Sequence, residues 1–270
     1  REAIDTAMPS TASPGTLLAY EADSLRVATR TTDVVLTAPR GLDDQPLTDP
    51  DLQAIFGPLI GRPLPSLAAP DRDAISTIDR RAVQHEAEWI RRLAGGVAIT
   101  QPPFVTIGPW GRLQPVALPQ LDLALRELSS PLRSVRARAV LIAELLGLHG
   151  DDASDVGVVL PEIAGVSAAL FAAIVPLRLP SPALALLAFE AALTQAWHDV
   201  RGLGSFALDL GPRTPALRGR PLLPARWPVA LLEAGVPPAG IDGQVALLVC
   251  VSPDDGAVQL YAAEELPAEQ

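Results

Sequence analysis

The segment from Leu118 to Arg201 constrains the fold most, because it is almost continuously apolar and is broken only by prolines, glycines and short polar turns. Apolar side chains recur in it at spacings of three and four residues, the period of an amphipathic helix. A proline fits the first turn of a helix, and the four apolar pieces begin at Pro119, Pro131, Pro161 and Pro182. The pattern predicts four helices between about residues 119 and 201.

The last two pieces show how these helices would pack. The third begins at Pro161 and places on one face Ile163, Val166, Leu170 and Ile174. The fourth begins at Ser181 and Pro182 and buries Leu186, Phe189, Leu193, Trp197 and Val200. Each stripe is the single apolar face of a helix that packs against a core.

The two ends of the chain are patterned as strands. Ser24–Arg30 with Asp33–Ala38, and Val245–Val251 with Val258–Tyr261, alternate or carry β-branched residues on either side of a turn. This pattern predicts one hairpin near each end of the chain. We therefore expect an α+β fold, in which the central helical segment packs on one antiparallel sheet formed from the N- and C-terminal hairpins.

Shorter elements connect these parts. A proline in the first turn predicts short helices after Asp49 and from Trp227 to Ala234. A longer helix is expected from Asp79 to Ala94, where Gly95 and Gly96 end it. The short apolar run Val156–Leu160 is expected to be a strand.

No stretch of the sequence has the composition of a linker between domains. Residues 1–23 are small and polar and are expected to be loosely ordered. Residues 24–263 are expected to form a single α+β domain, followed by a tail at 264–270.

The composition excludes several chemistries. All 21 basic residues are arginine, and lysine and asparagine are absent, a bias typical of a GC-rich bacterial source. Without lysine there is no P-loop lysine and no Schiff-base lysine. A net charge of −10 argues against binding to nucleic acid. The single cysteine, Cys250, lies within an apolar run, which favours a small buried residue over a nucleophile.

An acidic turn between the second and third predicted helices contains candidate metal ligands: His149, Asp151, Asp152 and Asp155. Its Asp-Asp-x-x-Asp string occurs in enzymes that hold magnesium against a diphosphate, and oxygen ligands suit magnesium. Here the string follows the glycine that ends a helix, and no second motif faces it. A solvated acidic loop is the favoured interpretation, and no cofactor is expected.

The fourth predicted helix carries a polar face opposite its apolar stripe. Glu190, His198 and Asp199 are the candidate catalytic residues on this helix, since histidine titrates near neutral pH. Glu190 and His198 are two turns apart, roughly 12 Å along the axis, so they cannot touch. A face turned towards water is the favoured interpretation.

Two functional hypotheses follow. The first is a non-catalytic binding or assembly protein, which uses an apolar surface for a protein partner or for self-association. The alternative is an enzyme or carrier for a small hydrophobic substrate, in an apolar pocket near His198. Neither nucleic-acid binding nor membrane insertion is expected. A cytoplasmic location is expected, with export left open.

Overall fold

The computed structural model describes residues 2–21, 23–41, 46–97, 110–116, 154–180, 184, 186–218, 222–224, 226–252 and 258–265. The chain forms two compact units, Arg1–Ala74 and Ile75–Gln270. The number of independently folding domains stays a prediction.

The first unit is built on a four-stranded antiparallel sheet with the strand order β1-β4-β3-β2. Its strands are β1 (Glu2–Pro9), β2 (Leu17–Glu21), β3 (Ser24–Ala28) and β4 (Thr32–Thr37). The predicted N-terminal hairpin is confirmed, because β3 pairs with β4. The residues before Asp23, for which the composition predicts loose order, contain β1 and β2. β1 pairs with β4, and β2 pairs with β3. The sequence of β1 and β2 is only weakly apolar, so their composition does not predict these strands, which form through pairing with their neighbours.

One short helix, α1 (Asp49–Phe56), covers this sheet and confirms the prediction at Asp49. Thr48 occupies the position before the helix, and its backbone N–H donates to the Asp51 carboxylate at 2.9 Å. The Thr48 hydroxyl and backbone hydrogen bonds lower the pKa of Asp51. A single-turn 3₁₀ helix follows at Gly57–Leu59. The core of the unit is centred on Leu17, Leu25 and Leu52.

The second unit contains a six-stranded mixed sheet in the order β5-β10-β9-β8-β6-β7. Its strands are β5 (Trp110–Val116), β6 (Asp155–Val159), β7 (Ile174–Arg178), β8 (Trp227–Leu232), β9 (Val245–Val251) and β10 (Val258–Glu265). β8 is parallel to both of its neighbours, β6 and β9, and the other pairs are antiparallel. The predicted C-terminal hairpin is confirmed by the pairing of β9 with β10.

Helices cover one face of this sheet. α2 runs from Ala69 to Ala94, and its residues from Ile75 onward belong to the second unit. α3 (Leu186–Leu203) and the single turn α4 (Leu210–Arg213) follow β7. The shared core unites α2, α3 and the sheet through buried side chains that include Trp89, Leu93, Val158, Leu177, Leu193, Trp197, Val200, Phe206, Leu231 and Val249. The rings of Trp89 and Phe206 lie 4.9 Å apart, a tilted pair that fixes α2 on the chain after α3.

The α+β class is confirmed, but the prediction of one sheet built from both terminal hairpins is wrong. The N-terminal hairpin belongs to the four-stranded sheet and the C-terminal hairpin to the six-stranded one. The six-stranded sheet is also mixed rather than antiparallel. Its inner strands β6, β8 and β9 are buried on both faces, so they have continuous apolar runs that carry no period-two signal.

Two predicted helices are wrong. The third central helix is replaced by a 3₁₀ turn at Gly165–Ala169 and by strand β7. The helix predicted from Trp227 is strand β8. Both segments are short apolar runs that contain a proline, and such runs do not distinguish a buried strand from a buried helix. Pro176 is tolerated in β7 because this strand lies at the edge of the sheet.

The other helix predictions divide into two groups. The fourth central helix is confirmed as α3, and the predicted end of α2 at Ala94 is also confirmed. The two helices predicted between about residues 119 and 147 lie outside the described residues. Among the described residues, no helix has both the length and the apolarity required to cross a membrane.

Arg81 connects α2 to the end of α3. Its guanidinium donates hydrogen bonds to the carbonyl oxygens of Arg201 and Gly202, the second at 3.0 Å. These carbonyls belong to the last turn of α3, where the helix dipole favours a cation. Gly204 follows with φ +69°, and a Cβ there would lie 2.9 Å from Arg81 Nε. A larger residue at 204 would be strained by this positive φ and would displace the Arg81 guanidinium from its observed position.

Cys250 should be chemically inert in the folded protein. The side chain lies within β9 and is 1% exposed, and burial raises the pKa of the thiol to about 12. At pH 8 its thiolate fraction is then roughly 1000-fold smaller than that of a free thiol, so iodoacetamide should label the native chain at least about 100-fold more slowly than the unfolded chain. The raised pKa also means that the free energy of unfolding should fall as pH rises from about 9 towards 12, because the unfolded thiol ionises first. Equal labelling rates for native and unfolded chain would contradict this account.

Candidate functional site

A cavity of about 480 Å³ lies in the second unit, where the end of α2, strand β7 and one face of α3 meet. Seven apolar residues and five charged residues contribute to its walls, together with two glycines. The lining residues are Arg91, Arg92, Gly95, Gly96, Val97, Asp155, Pro176, Leu177, Arg178, Leu179, Pro180, Ala192, Ala196 and Asp199. Charged and apolar side chains thus converge on this cavity.

The first wall is formed where α2 stops. Gly96 has φ +79°, the left-handed conformation that commonly follows the end of a helix. Its backbone N–H donates to the Leu93 carbonyl at 3.0 Å, and the chain then turns to Val97 at the cavity. The same turn aims the Gly96 carbonyl oxygen at Arg178, which donates to it at 3.1 Å.

The second wall is an ion pair between two strands. Asp155 begins β6 and Arg178 ends β7, and the two are direct partners in the antiparallel register. Arg178 Nε and Nη2 donate to the two carboxylate oxygens at 2.7 and 2.8 Å. The Asp155 side chain is 3% exposed and that of Arg178 is 48% exposed. The hydrogen bonds to Asp155 raise the pKa of Arg178 against the opposing effect of burial, so the guanidinium stays charged and fixed in place.

A second cluster of charges lies on the last turns of α2. Arg91 and Arg92 both donate to Glu88, with distances of 2.9 Å from Arg91 Nε and 2.8 Å from Arg92 Nε. These bonds, that of Arg92 above all, lower the pKa of Glu88. Because the two arginines are three and four residues after Glu88, the helix itself brings the three side chains together.

The third wall belongs to α3. Ala192, Ala196 and Asp199 follow one another at spacings of four and three residues, so they share one face of the helix. The two alanines leave space where larger side chains would fill it. Asp199 Oδ1 accepts a hydrogen bond from Gln195 at 2.8 Å, and Asp199 Oδ2 lies 4.0 Å from Arg92 Nη2. The last distance is longer than a hydrogen bond.

The structure describes the side chains of two of the three predicted catalytic residues. Asp199 lines the cavity, whereas His198 is exposed and is not part of the lining. The side chain of Glu190 lies outside the described residues. A site that joins all three therefore stays a prediction, and the pocket of the second hypothesis involves Asp199 rather than His198.

The predicted metal ligands divide in a similar way. His149, Asp151 and Asp152 lie outside the described residues, so the metal site stays a prediction. Asp155 lies at the start of a buried strand and is paired with Arg178. No group of three or more His, Cys, Asp or Glu side chains suited to a metal ion occurs among the described residues.

The arginines of this site were not among the residues predicted from the sequence. Arg178 ends β7, which lies within the central segment predicted to be helical, so its cross-strand partner was not recognised. A single charge between apolar residues, in Leu177-Arg178-Leu179, was the available signal, since a buried or half-buried charge needs a partner. Arg91 and Arg92 looked like an ordinary basic last turn of a helix.

No protein-family model matches the chain, and no curated protein matches it. Among solved structures, it is similar to a mutant of the starter condensation domain of rhizomide synthetase RzmA in complex with C8-CoA. That similarity has a TM-score of 0.42 and 15% identity, over 72% of this chain and 48% of that one. A second mutant of the same domain with C8-CoA gives a TM-score of 0.44 and 14% identity, over 89% of this chain and 61% of that one.

The nonribosomal peptide synthetase FmoA3 in its AMPPNP-bound form gives a TM-score of 0.38 and 18% identity, over 87% of this chain and 28% of that one. The chain thus spans between 28% and 61% of the length of these structures. The similarity assigns neither a substrate nor a reaction to this chain.

The prediction of a non-catalytic assembly protein is corrected by these comparisons. All three similar structures are, by their descriptions, synthetases or domains of a synthetase, and they are 14–18% identical to this chain.

Proposed function

We propose that the chain is an enzyme or carrier domain that binds a small molecule with an apolar body in the cavity between α2, β7 and α3. The observation that carries the proposal is the cavity itself, with a volume of about 480 Å³. Pockets for small molecules and cofactors have volumes of about 300–1,000 Å³ and combine apolar walls with a few placed polar groups.

The apolar part of the ligand is held by two elements. On β7 and just after it, Leu177 and Leu179 are buried while Pro176 and Pro180 complete the same wall. On α3, Ala192 and Ala196 are only partly buried, so their methyl groups are accessible from the cavity. Both elements are anchored in the main core of the unit, so the walls are formed before a ligand arrives.

Hydrogen bonds hold the charged side chains of the cavity wall in one arrangement. Arg178 joins β6, β7 and the turn after α2 through Asp155 and the Gly96 carbonyl. Glu88 holds two arginines on α2. A ligand therefore meets polar groups whose positions are already fixed, which lowers the entropic cost of binding.

Octan-1-ol is a suitable first probe, because it has an apolar chain and a head group that both donates and accepts. Its nine non-hydrogen atoms, at about 0.5 kcal/mol each, correspond to a Kd of about 1 mM or somewhat lower. Ligand-observed NMR titration measures such affinities. C8-CoA, the molecule held by two of the similar structures, is the second probe.

The position of the probe is tested by filling the cavity. Ala196→Phe places a ring in the cavity and should weaken octanol binding at least tenfold. Ala191→Phe is the matched control, since Ala191 is exposed on the same helix and does not line the cavity, and it should change the Kd by less than about twofold. Ala192→Leu, a smaller change on the cavity face, serves if Ala196→Phe does not fold. No detectable binding, or equal loss in Ala191→Phe, contradicts the proposal.

A further inference from the structure

We infer that the polar end of this ligand is an oxygen group that accepts hydrogen bonds, a carboxylate or a carbonyl, and that Arg92 is the residue that selects it. The inference rests on the proposed function and adds to it the chemistry of the head group. It follows from an imbalance between donors and acceptors on the cavity wall.

The wall has donors in excess. A guanidinium carries five N–H donors and no acceptor. Among the described residues, Arg91 uses Nε and Nη2, Arg92 uses Nε, and Arg178 uses Nε and Nη2. Nη1 of each arginine and Nη2 of Arg92 make no hydrogen bond within the described part of the chain. These groups are available to a ligand that can accept.

The acceptors on the same wall are already engaged. Both oxygens of Asp155 accept from Arg178, and Asp199 Oδ1 accepts from Gln195. Glu88, beside the cavity, accepts from two arginines. Asp199 Oδ2 is the remaining carboxylate oxygen of the wall without a hydrogen bond among the described residues, and Arg92 Nη2 lies 4.0 Å from it. Among the described carboxylate oxygens of the wall, Asp199 Oδ2 is therefore the one that a ligand offering only donors meets without competing with a side chain.

Arg92 is the arginine best placed to select the head group. Its side chain is 30% exposed, against 74% for Arg91. The bond from Nε to Glu88 fixes the direction of the guanidinium, while both Nη groups remain available beside Asp199 of α3. The Arg178 guanidinium is equally fixed, but its Nη2 already donates hydrogen bonds to Asp155 and to the Gly96 carbonyl. Arg92 can thus present two N–H groups to one acceptor, the geometry that suits a carboxylate or a carbonyl oxygen.

The formal charge around the cavity does not decide whether the acceptor is a carboxylate or a neutral carbonyl. Three arginines face Glu88, Asp155 and Asp199, so the formal charges around the cavity are balanced. A neutral carbonyl adds no charge to this arrangement. A carboxylate gains charge-assisted hydrogen bonds from Arg92. An ammonium group has no acceptor capacity, so it cannot use the arginine donors, and the carboxylate oxygen open to it, Asp199 Oδ2, lies beside the Arg92 guanidinium of the same sign.

Three eight-carbon probes distinguish these cases: octanoate, methyl octanoate and octylamine, each titrated by ligand-observed NMR below its aggregation concentration. The full chain should bind both acceptor probes at least about tenfold more tightly than octylamine, because a hydrogen bond to a charged group changes affinity by about 10- to 100-fold. The ratio between octanoate and methyl octanoate then shows whether the natural head group is an anion or a neutral carbonyl.

The variants assign the selection to Arg92. Arg92→Gln should reduce the preference over octylamine to less than about threefold, whereas Arg92→Lys should retain part of it. Arg80→Gln is the control, because Arg80 is exposed on the same helix and bonds to the Ser76 carbonyl away from the cavity. Octylamine binding as tightly as methyl octanoate, or an unchanged preference in Arg92→Gln, overturns the inference and leaves the proposed function standing. No binding of any probe overturns both.

Discussion

Replacing Gly157 with valine should lower the free energy of unfolding of the second unit by about 3 kcal/mol, the upper part of the range for an overpacked core. Gly157 lies in the middle of β6, a strand buried on both faces. A Cβ there would lie 2.6 Å from Ile174 Cγ2, 3.0 Å from Trp227 Cδ2 and 3.1 Å from the Ala230 Cβ. These atoms belong to β7 and β8, the strands on both sides of β6. A shift of β6 that relieves the steric overlap with one neighbouring strand therefore increases the overlap with the other.

Chemical denaturation followed by tryptophan fluorescence measures this loss. Gly157→Ala adds only the Cβ and should cost about 1–2 kcal/mol. Gly235→Val is the matched control, because Gly235 is exposed and no atom lies within 4 Å of its Cβ position, and it should change stability by less than about 0.5 kcal/mol. A Gly157→Val chain as stable as the Gly235→Val chain would show that β6 does not pack as described.

Replacing Arg178 with methionine should lower the free energy of unfolding by about 2–3 kcal/mol. The change leaves the Asp155 carboxylate, 3% exposed, without the guanidinium that neutralises it. Removal of one partner from a fully buried pair costs about 3–5 kcal/mol. Arg178 is 48% exposed, so solvent reaches the pair and reduces the penalty.

The same denaturation experiment, with a double-mutant cycle, isolates the pair. Asp155→Asn with Arg178→Met should be more stable than the Arg178→Met chain, because the uncompensated charge is gone. Arg91→Met is the comparison for an exposed pair, since Arg91 is 74% exposed, and it should cost less than about 0.5 kcal/mol. Additive effects of the Asp155 and Arg178 changes would contradict a direct interaction between the two residues.

The elements that the sequence predicts correctly are those with a local signal. The hairpins at both ends alternate or carry β-branched residues around a turn, and they form β3–β4 and β9–β10. α3 has a stripe of Leu193, Trp197 and Val200, each of which is buried. A helix or hairpin of this kind contains most of its own pairing information, so a single sequence is enough to predict it.

The elements that it misses depend on neighbours distant in the sequence. β8 is an apolar run of six residues, and its central position follows only from parallel pairing with both β6 and β9. β7 lies at the end of the sheet because β6 offers it one free edge. No local pattern in Trp227–Leu232 or Ile174–Arg178 specifies these partners, and Pro228 suggested the start of a helix instead.

The cavity could not be predicted for the same reason. Its walls come from residues between 91 and 97, from the Asp155–Arg178 end of the β6–β7 pair with the residues just after β7, and from one face of α3. Asp199 was identified because it lies on a recognisable helix, but its placement beside Arg92 required the packing of α3 against α2. The Asp155–Arg178 pair required the correct register of two strands, one of which was predicted to be a helix.

The central claim is that the cavity between α2, β7 and α3 holds a ligand with an apolar body, and amide chemical-shift mapping during an octan-1-ol titration tests it most directly. The account predicts that the shifts which saturate with the titration cluster at Val97, Leu177, Leu179, Ala192 and Ala196. It also predicts that the same shifts disappear in Ala196→Phe and persist in Ala191→Phe. Saturating shifts that cluster elsewhere in the chain, or no saturating shifts at all, would contradict it.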